Sequence, residues 1–268
     1  MPTHAQAVIL GLLQGATELF PVSSVGHGVL LPSLLHWTLN QASPAFLPFL
    51  VVLHLGTALG LLLYFLADWI EAFRHLRILW LLIVGTVPAG IIGLVLNKAL
   101  SHLFATPAVA GVFLLVNGVM LFLGDRRRAQ AGAGKALGEL RASQAFWVGI
   151  WQATALIPGI SRSGVSLVAG LRQGLREDEA ARFAFLLATP VIGGAGLLEV
   201  PKLLHTHGGP GVLSTAALGG VVAGLAAVAS TAILMRYFKQ REVQALRPFA
   251  IYCWVAGAVG LVLLGLGL

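Results

Sequence analysis

Residues 14 to 27 read Gln14-Gly15-Ala16-Thr17-Glu18-Leu19-Phe20-Pro21-Val22-Ser23-Ser24-Val25-Gly26-His27. A carboxylate, two hydroxyls and an imidazole lie here inside an otherwise apolar stretch that Pro21 interrupts. On a helix Gln14 and Glu18 are i,i+4 neighbours and Ser24 and His27 are i,i+3 neighbours, so each pair shares a face. Pro21 cannot continue a first helix but suits the approach to a second, with Ser23 or Ser24 near its cap. The amides that open the second helix would face whatever Glu18 and His27 face, which favours an anion. In a dry environment such a cluster is costly unless it does something. The stretch reads as half of an active site.

The environment is dry. Only 10% of the 268 residues are charged and 57% are hydrophobic, and the mean hydropathy is +0.89, whereas a soluble domain carries roughly 25% charged residues. The expected fold is an all-α polytopic membrane protein. The formal net charge of +7 could suit nucleic acid, but its placement assigns it to a membrane face, so no nucleic-acid partner is expected. The single Cys253 excludes a disulfide framework within the chain. The start, Met1-Pro2-Thr3-His4, lacks a basic n-region, and a cleaved signal peptide is not expected.

Residues 5–35 are apolar but broken at Pro21, which predicts a re-entrant hairpin of two short helices. A loop with Pro44 and Pro48 follows, and then apolar spans are expected over 46–67, 78–97 and 107–124. Residues 125–143 form the one plausible linker. Residues 144–171 are again apolar and broken, now at Pro158-Gly159, and three further spans are expected over 183–200, 213–235 and 248–267. The halves share one grammar, with segments recurring at an offset of about 136 to 140 residues. Ala16-Thr17-Glu18-Leu19-Phe20-Pro21 aligns with Ala153-Thr154-Ala155-Leu156-Ile157-Pro158. With three spans per half, the second half inserts upside down. The prediction is an inverted repeat in a single membrane domain: 1–124, a cytoplasmic linker 125–143, and 144–268.

Charge orients it. The loops 68–77, 125–143, 172–182 and 236–247 fall on one side and hold 14 of the 17 Lys and Arg residues, against Lys98 and Lys202 opposite. The first side is therefore cytoplasmic, and Arg126-Arg127-Arg128 is read as an anchor there. The remaining basic residue, Arg162, stands in Pro158-Gly159-Ile160-Ser161-Arg162-Ser163-Gly164-Val165-Ser166. A guanidinium flanked by Ser161, Ser163 and Ser166 at the start of a half-helix suits a phosphate. In the inverted repeat this loop meets the Glu18–His27 hairpin near mid-membrane, with Glu18 and Arg162 as charge partners.

The two stretches resemble the paired signatures of the undecaprenyl-diphosphate phosphatase family, the bacitracin-resistance type: a Glu-or-Gln, three residues, Glu element running into Pro-Val-Ser-Ser-x-Gly-His, and Pro-Gly-x-Ser-Arg-Ser-Gly. Phe185-Leu186-Leu187-Ala188-Thr189-Pro190 and Arg247-Pro248-Phe249-Ala250-Ile251-Tyr252 extend the resemblance over nearly the whole chain. It implies an integral phosphatase of the bacterial cytoplasmic membrane that removes the terminal phosphate of a polyprenyl diphosphate, regenerates the lipid carrier of cell-wall precursors, and opens its site to the outer side. It also implies a divalent cation, Mg²⁺ or Ca²⁺, with Glu18 as a ligand, and it allows a homodimer. Among site residues, Glu18 resembles the essential acid, Ser24 the nucleophile, His27 the base or rival nucleophile, and Arg162 the phosphate binder. Ser161, Ser163 and Ser166 resemble its hydroxyl support, and Ser23 and Gln14 complete the substrate site. Gln14 stands where many members carry a second Glu, which weakens the expectation of tight metal binding. His54 stands where Gln is expected, and reads either as a hydrogen-bonded packing residue or as an ionisable group lining the pocket. Glu199 reads as solvated or interfacial.

The expected chemistry has Arg162 and the half-helix amides hold the diphosphate while Ser24 attacks the terminal phosphorus and His27 takes its proton. Glu18 either orients His27 or holds the cation. Attack by water, or by His27 itself, stays open. Broken helices at a midplane also suit a polyprenyl-phosphate flippase or an anion-coupled lipid carrier, but a carrier needs no nucleophile.

Overall fold

A computed structural model describes residues 2–37, 46–103, 106–128, 134–205, 210–240 and 244–267. The expected loop at Pro44, part of the linker, Arg241, and the side chains of Lys98, Lys202 and Arg126 to Arg128 lie outside what it describes. Among the described residues there is no β-strand.

The chain opens with two short helices, α1 (His4–Thr17) and α2 (Ser24–Leu34). Thr3 starts α1 in a capping box, its hydroxyl accepting from the Gln6 amide at 3.2 Å while its own amide donates to Gln6 Oε1 at 2.9 Å. Then come α3 (Phe46–Tyr64), a short α4 (Leu66–Arg74), α5 (Leu76–Leu103) and α6 (Pro107–Arg128). A second pair of short helices, α7 (Ala142–Ala153) and α8 (Arg162–Arg172), precedes α9 (Glu177–His205), α10 (Pro210–Gln240) and α11 (Arg247–Gly265). The four helices of these two pairs have 14, 11, 12 and 11 residues. At 1.5 Å per residue each falls short of a hydrocarbon core of about 30 Å. Six others are long and apolar enough to cross: Phe46–Tyr64, Leu76–Leu96, Pro107–Asp125, Glu177–Pro201, Leu213–Gln240 and Arg247–Gly265. These are the six spans expected from hydropathy, with ends displaced by up to six residues.

The expected loop at 68–77 is largely helical. Leu66, Ile70 and Phe73 of α4 are exposed while Trp69 and Ala72 pack inward. The linker's far end is docked rather than loose. Arg77 donates to the carbonyls of Gly138 and Leu140 at 2.6 and 3.1 Å, and the Leu137 amide donates to Glu179 at 2.8 Å. Arg182 pairs with Asp68 at 2.5 Å and Glu71 at 3.0 Å, and Arg247 with Asp125 at 3.3 Å. These ties gather the four basic loops at one end of the bundle.

Small residues let the spans approach closely. A Cβ on Gly15 would strike the backbone of Ala223, and one on Gly56 would strike that of Gly220, so α1 and α3 both seat on α10 nearly backbone to backbone. The core runs through the middle of the bundle, with Phe183, Phe185, Leu186 and Leu187 of α9 fully buried.

Candidate active site

Each short-helix pair is broken where a proline removes an amide. α1 stops at Thr17, and Pro21 and Val22 lead to Ser23, whose φ of 67° lies in the left-handed region. Ser23 caps α2, its hydroxyl accepting from the Gly26 amide at 3.2 Å. After α7 a 3₁₀ turn (Thr154–Leu156) runs into Pro158 and Gly159, and Ser161 caps α8 by accepting from the Gly164 amide at 3.1 Å. Gly159 has φ 99°, and a Cβ there would strike the Ala110 carbonyl, so only glycine fits.

The two breaks touch. A Cβ on Gly26 would lie 3.2 Å from Gly159 Cα, and one on Gly164 3.2 Å from Pro21 Cβ. Asn117 of α6 staples them: its Nδ2 donates to the Pro21 carbonyl at 2.9 Å and its Oδ1 accepts from the Ser161 amide at 3.0 Å. Both ends of that side chain satisfy buried backbone groups that the breaks leave without a helical partner.

The breaks bring the charged groups together. Glu18 is 5% exposed and Arg162 12%. Arg162 donates to Glu18 Oε1 from Nε at 3.1 Å and from Nη2 at 3.0 Å, and Nη1 donates to the Ala184 carbonyl at 3.0 Å. The other carboxylate oxygen, Oε2, accepts from Ser24 Oγ at 2.5 Å and Gln14 Nε2 at 3.0 Å, with His54 Nε2 at 3.3 Å. His54 Nε2 is also 3.5 Å from Ser24 Oγ, and its Nδ1 donates to the Leu50 carbonyl at 2.8 Å. Ser24 is thus joined directly to a carboxylate that an arginine orients.

His27 is elsewhere. Its Nδ1 donates to the Ser23 carbonyl at 2.7 Å, and Nε2 meets the Tyr252 hydroxyl at 2.8 Å with the two rings stacked. Neither nitrogen is hydrogen-bonded to Ser24 or Glu18, unlike the expected arrangement in which His27 takes the serine proton or is oriented by Glu18. The i,i+3 spacing put the residues on one face, but the capping turn draws the imidazole to its own helix start and to α11. Ser163 and Ser166 also turn into the packing. Ser163 donates to the Phe20 carbonyl at 3.3 Å and lies 3.0 Å from Ser161 Oγ, while Ser166 donates to Gln152 at 3.3 Å. They hold the break rather than face a ligand.

A cavity of about 490 Å³ opens beside the cluster, within the range of small-molecule sites. Glu18, Ser23, Ser24, His54, Ser161 and Arg162 line it, together with apolar residues such as Leu47, Val51, Leu94, Ile192 and Leu197. A polar cluster facing an apolar enclosure suits an amphiphile with an anionic head. Two further lining residues bear on the site. His54 takes the pocket-lining alternative and is bonded into the cluster. Glu199 is 5% exposed and lines the cavity. Both are ionisable residues within apolar spans, and that signal alone marks a site.

The cation implied by the resemblance does not fit at Glu18. Mg²⁺ and Ca²⁺ take about six to eight oxygen ligands, carboxylates foremost. Here both oxygens of Glu18 are engaged by donors, Gln14 offers it an amide N–H, and a guanidinium lies against it. Among the described residues no three His, Cys, Asp or Glu side chains group closely enough to hold an ion.

Comparison with known proteins adds a family. The profile of the bacitracin resistance protein BacA matches residues 7–259. The undecaprenyl-diphosphatase of Acidiphilium cryptum is 50% identical, covering 97% of this chain and 98% of its own. Undecaprenyl-diphosphatase 2 of Chromobacterium violaceum is 49% identical over 96% and 97%. That of Granulibacter bethesdensis is 49% identical over 94% of each.

Proposed function

The chain belongs to the bacitracin resistance protein BacA family, and we propose that it is an integral membrane undecaprenyl-diphosphatase, hydrolysing undecaprenyl diphosphate to undecaprenyl phosphate and phosphate and so recycling the cell-wall lipid carrier. The observation that carries the chemistry is the 2.5 Å bond from Ser24 Oγ to Glu18 Oε2, with Arg162 on the carboxylate's other oxygen.

The terminal phosphoryl group enters beside Arg162, whose fork keeps N–H donors beyond those given to Glu18 and Ala184, and beside the opening amides of α8, whose first turn Ser161 caps. Ser24 Oγ attacks the terminal phosphorus as Glu18 takes its proton. The bond to the bridging oxygen breaks, and undecaprenyl phosphate leaves with that electron pair. As Glu18 loses negative charge, Arg162 is freed toward the transferring phosphoryl group, so the clamp tightens as the reaction proceeds. The proton on Glu18 passes to the leaving oxygen. The regenerated carboxylate then activates the water that hydrolyses phosphoserine, returning Ser24. Ser23 caps the helix that presents the nucleophile, and His27 holds the Ser23 carbonyl. Gln14 orients Glu18 from behind. Ser163 and Ser166 support the Arg162 loop. No step passes through a metal ion.

The helix order supports an inverted repeat of 1–124 and 144–268, with 125–143 between them. Exchanging the halves carries α1 packed on α10 into α7 packed on α5, and carries the α3–α9 and α6–α11 pairs into themselves. The basic loops at one end support a cytoplasmic face in the inner membrane. The cavity uses α3 up to His54, α5 from Thr86 and α9 from Pro190, which are the halves away from those loops. That placement supports a site open to the periplasmic or outer side. Purified protein in detergent is expected to release phosphate from undecaprenyl diphosphate, and Ser24→Ala and Arg162→Ala to abolish release. Lipid bound without turnover by the unsubstituted protein would refute the reading and favour a carrier.

A further inference from the structure

The hydrogen bonds around Glu18 fix charges as well as positions. His54 Nδ1 faces the Leu50 carbonyl, which only accepts, so it carries a proton. His54 Nε2 faces Glu18 Oε2 at 3.3 Å, and the nearby Ser24 hydroxyl spends its one proton on that same carboxylate oxygen. Both imidazole nitrogens therefore face acceptors, and the bonding pattern calls for a proton on each. With Arg162 at +1, His54 at +1 and Glu18 at −1, the cluster's formal charge is 1 + 1 − 1 = +1. A diphosphate head meets a net cation built from side chains. Glu18, the carboxylate that would otherwise anchor a metal, is already surrounded by donors on both oxygens.

Resting on the phosphatase reading of this site, we infer that His54 and Arg162 supply the positive charge for the lipid diphosphate, and that no divalent cation resides on Glu18. The disagreement with the implied cation is specific to two side chains on one oxygen. Gln14 gives Glu18 Oε2 an amide N–H at 3.0 Å, and His54 gives it an imidazolium. Placing a carboxylate at 14 and an amide at 54 would set two carboxylates against each other and drop the cluster's formal charge to −1. Two carboxylates at that separation ionise together only with a cation between them.

The test is equilibrium dialysis of lipid-free protein in detergent against Ca²⁺, paired with phosphate release in EDTA and in excess Mg²⁺ or Ca²⁺. The unsubstituted protein is expected to bind no stoichiometric Ca²⁺, and to release phosphate in EDTA within about threefold of its rate in the metal. The double variant Gln14→Glu with His54→Gln is expected to bind about one Ca²⁺ and to depend on the metal by about tenfold or more, the scale on which ligand-shell changes act. One Ca²⁺ bound by the unsubstituted protein and lost in Glu18→Gln would overturn the inference, whether or not the double variant folds. So would a tenfold loss of release in EDTA restored by Ca²⁺. Absence of phosphate release under every condition would instead defeat the phosphatase reading, while the dialysis still decides where the cation binds.

Discussion

Glu18→Gln separates the proposed proton transfer from substrate binding. The glutamine is nearly isosteric, and its amide oxygen can still accept from Ser24 or Arg162. What it loses is the capacity to take a proton and the negative charge. General base catalysis contributes about 10²–10⁴-fold, so kcat is expected to fall by that factor, or about 2.7 to 5.4 kcal/mol at 1.36 kcal/mol per decade. Removing the carboxylate also strands the guanidinium of Arg162, and breaking a buried pair costs about 3–5 kcal/mol. A bound diphosphate would supply the missing anion. The variant should therefore unfold at lower temperature than the parent, regain more of that loss when saturated with substrate, and show an unchanged or lower KM. Steady-state phosphate release and thermal unfolding with and without lipid read both effects. A kcat within tenfold of the parent, or a loss carried by KM, would refute the assignment of Glu18 as the base.

Three further outcomes follow from the geometry. Asn117→Ala leaves the Ser161 amide unpaired and the Pro21 carbonyl with only the weak Cys253 thiol donor at 3.9 Å; at about 1–3 kcal/mol for a buried group left unpaired, urea or thermal unfolding should show a loss of at least about 1–3 kcal/mol, with kcat reduced because both breaks shift. Gly159→Ala forces a side chain into φ 99° and against the Ala110 carbonyl; backbone strain alone costs about 1–3 kcal/mol, and expression with unfolding in detergent should reveal a marked loss. Tyr252→Phe removes one bond to His27 but leaves the bond from His27 to Ser23; phosphate release should fall less than tenfold, whereas a larger loss would assign His27 a direct chemical role.

The spans were legible because hydropathy over about twenty residues is a strong signal, and the breaks because Pro21 and Pro158-Gly159 interrupt it. The pairing of Glu18 with Arg162, 144 residues apart in sequence, followed from there being few places where intramembrane charges can be satisfied. Partner choice within the cluster was not legible. Helical spacing joined Ser24 to His27, yet the capping turn at Ser23, with its left-handed backbone, reoriented α2 so that Ser24 faces Glu18 and His27 faces Tyr252. Ser163 and Ser166 looked like phosphate ligands in a serine-rich loop, but the loop needs their hydroxyls to satisfy Phe20 and Gln152. Asn117 had no local motif, and His54 was marked only as a departure from the resemblance. Each was a lone polar residue in an apolar span, and its role came from a helix distant in sequence.

The central claim is that Ser24, paired with Glu18 and beside Arg162, is the nucleophile of a lipid diphosphatase. It is tested most directly by acid-quenching the protein during turnover of undecaprenyl diphosphate labelled in its terminal phosphate, and mapping any label left on the polypeptide. The account predicts an acid-stable phosphoserine at position 24, absent in Ser24→Ala together with turnover. Label on His27, or full turnover by Ser24→Ala, would contradict it.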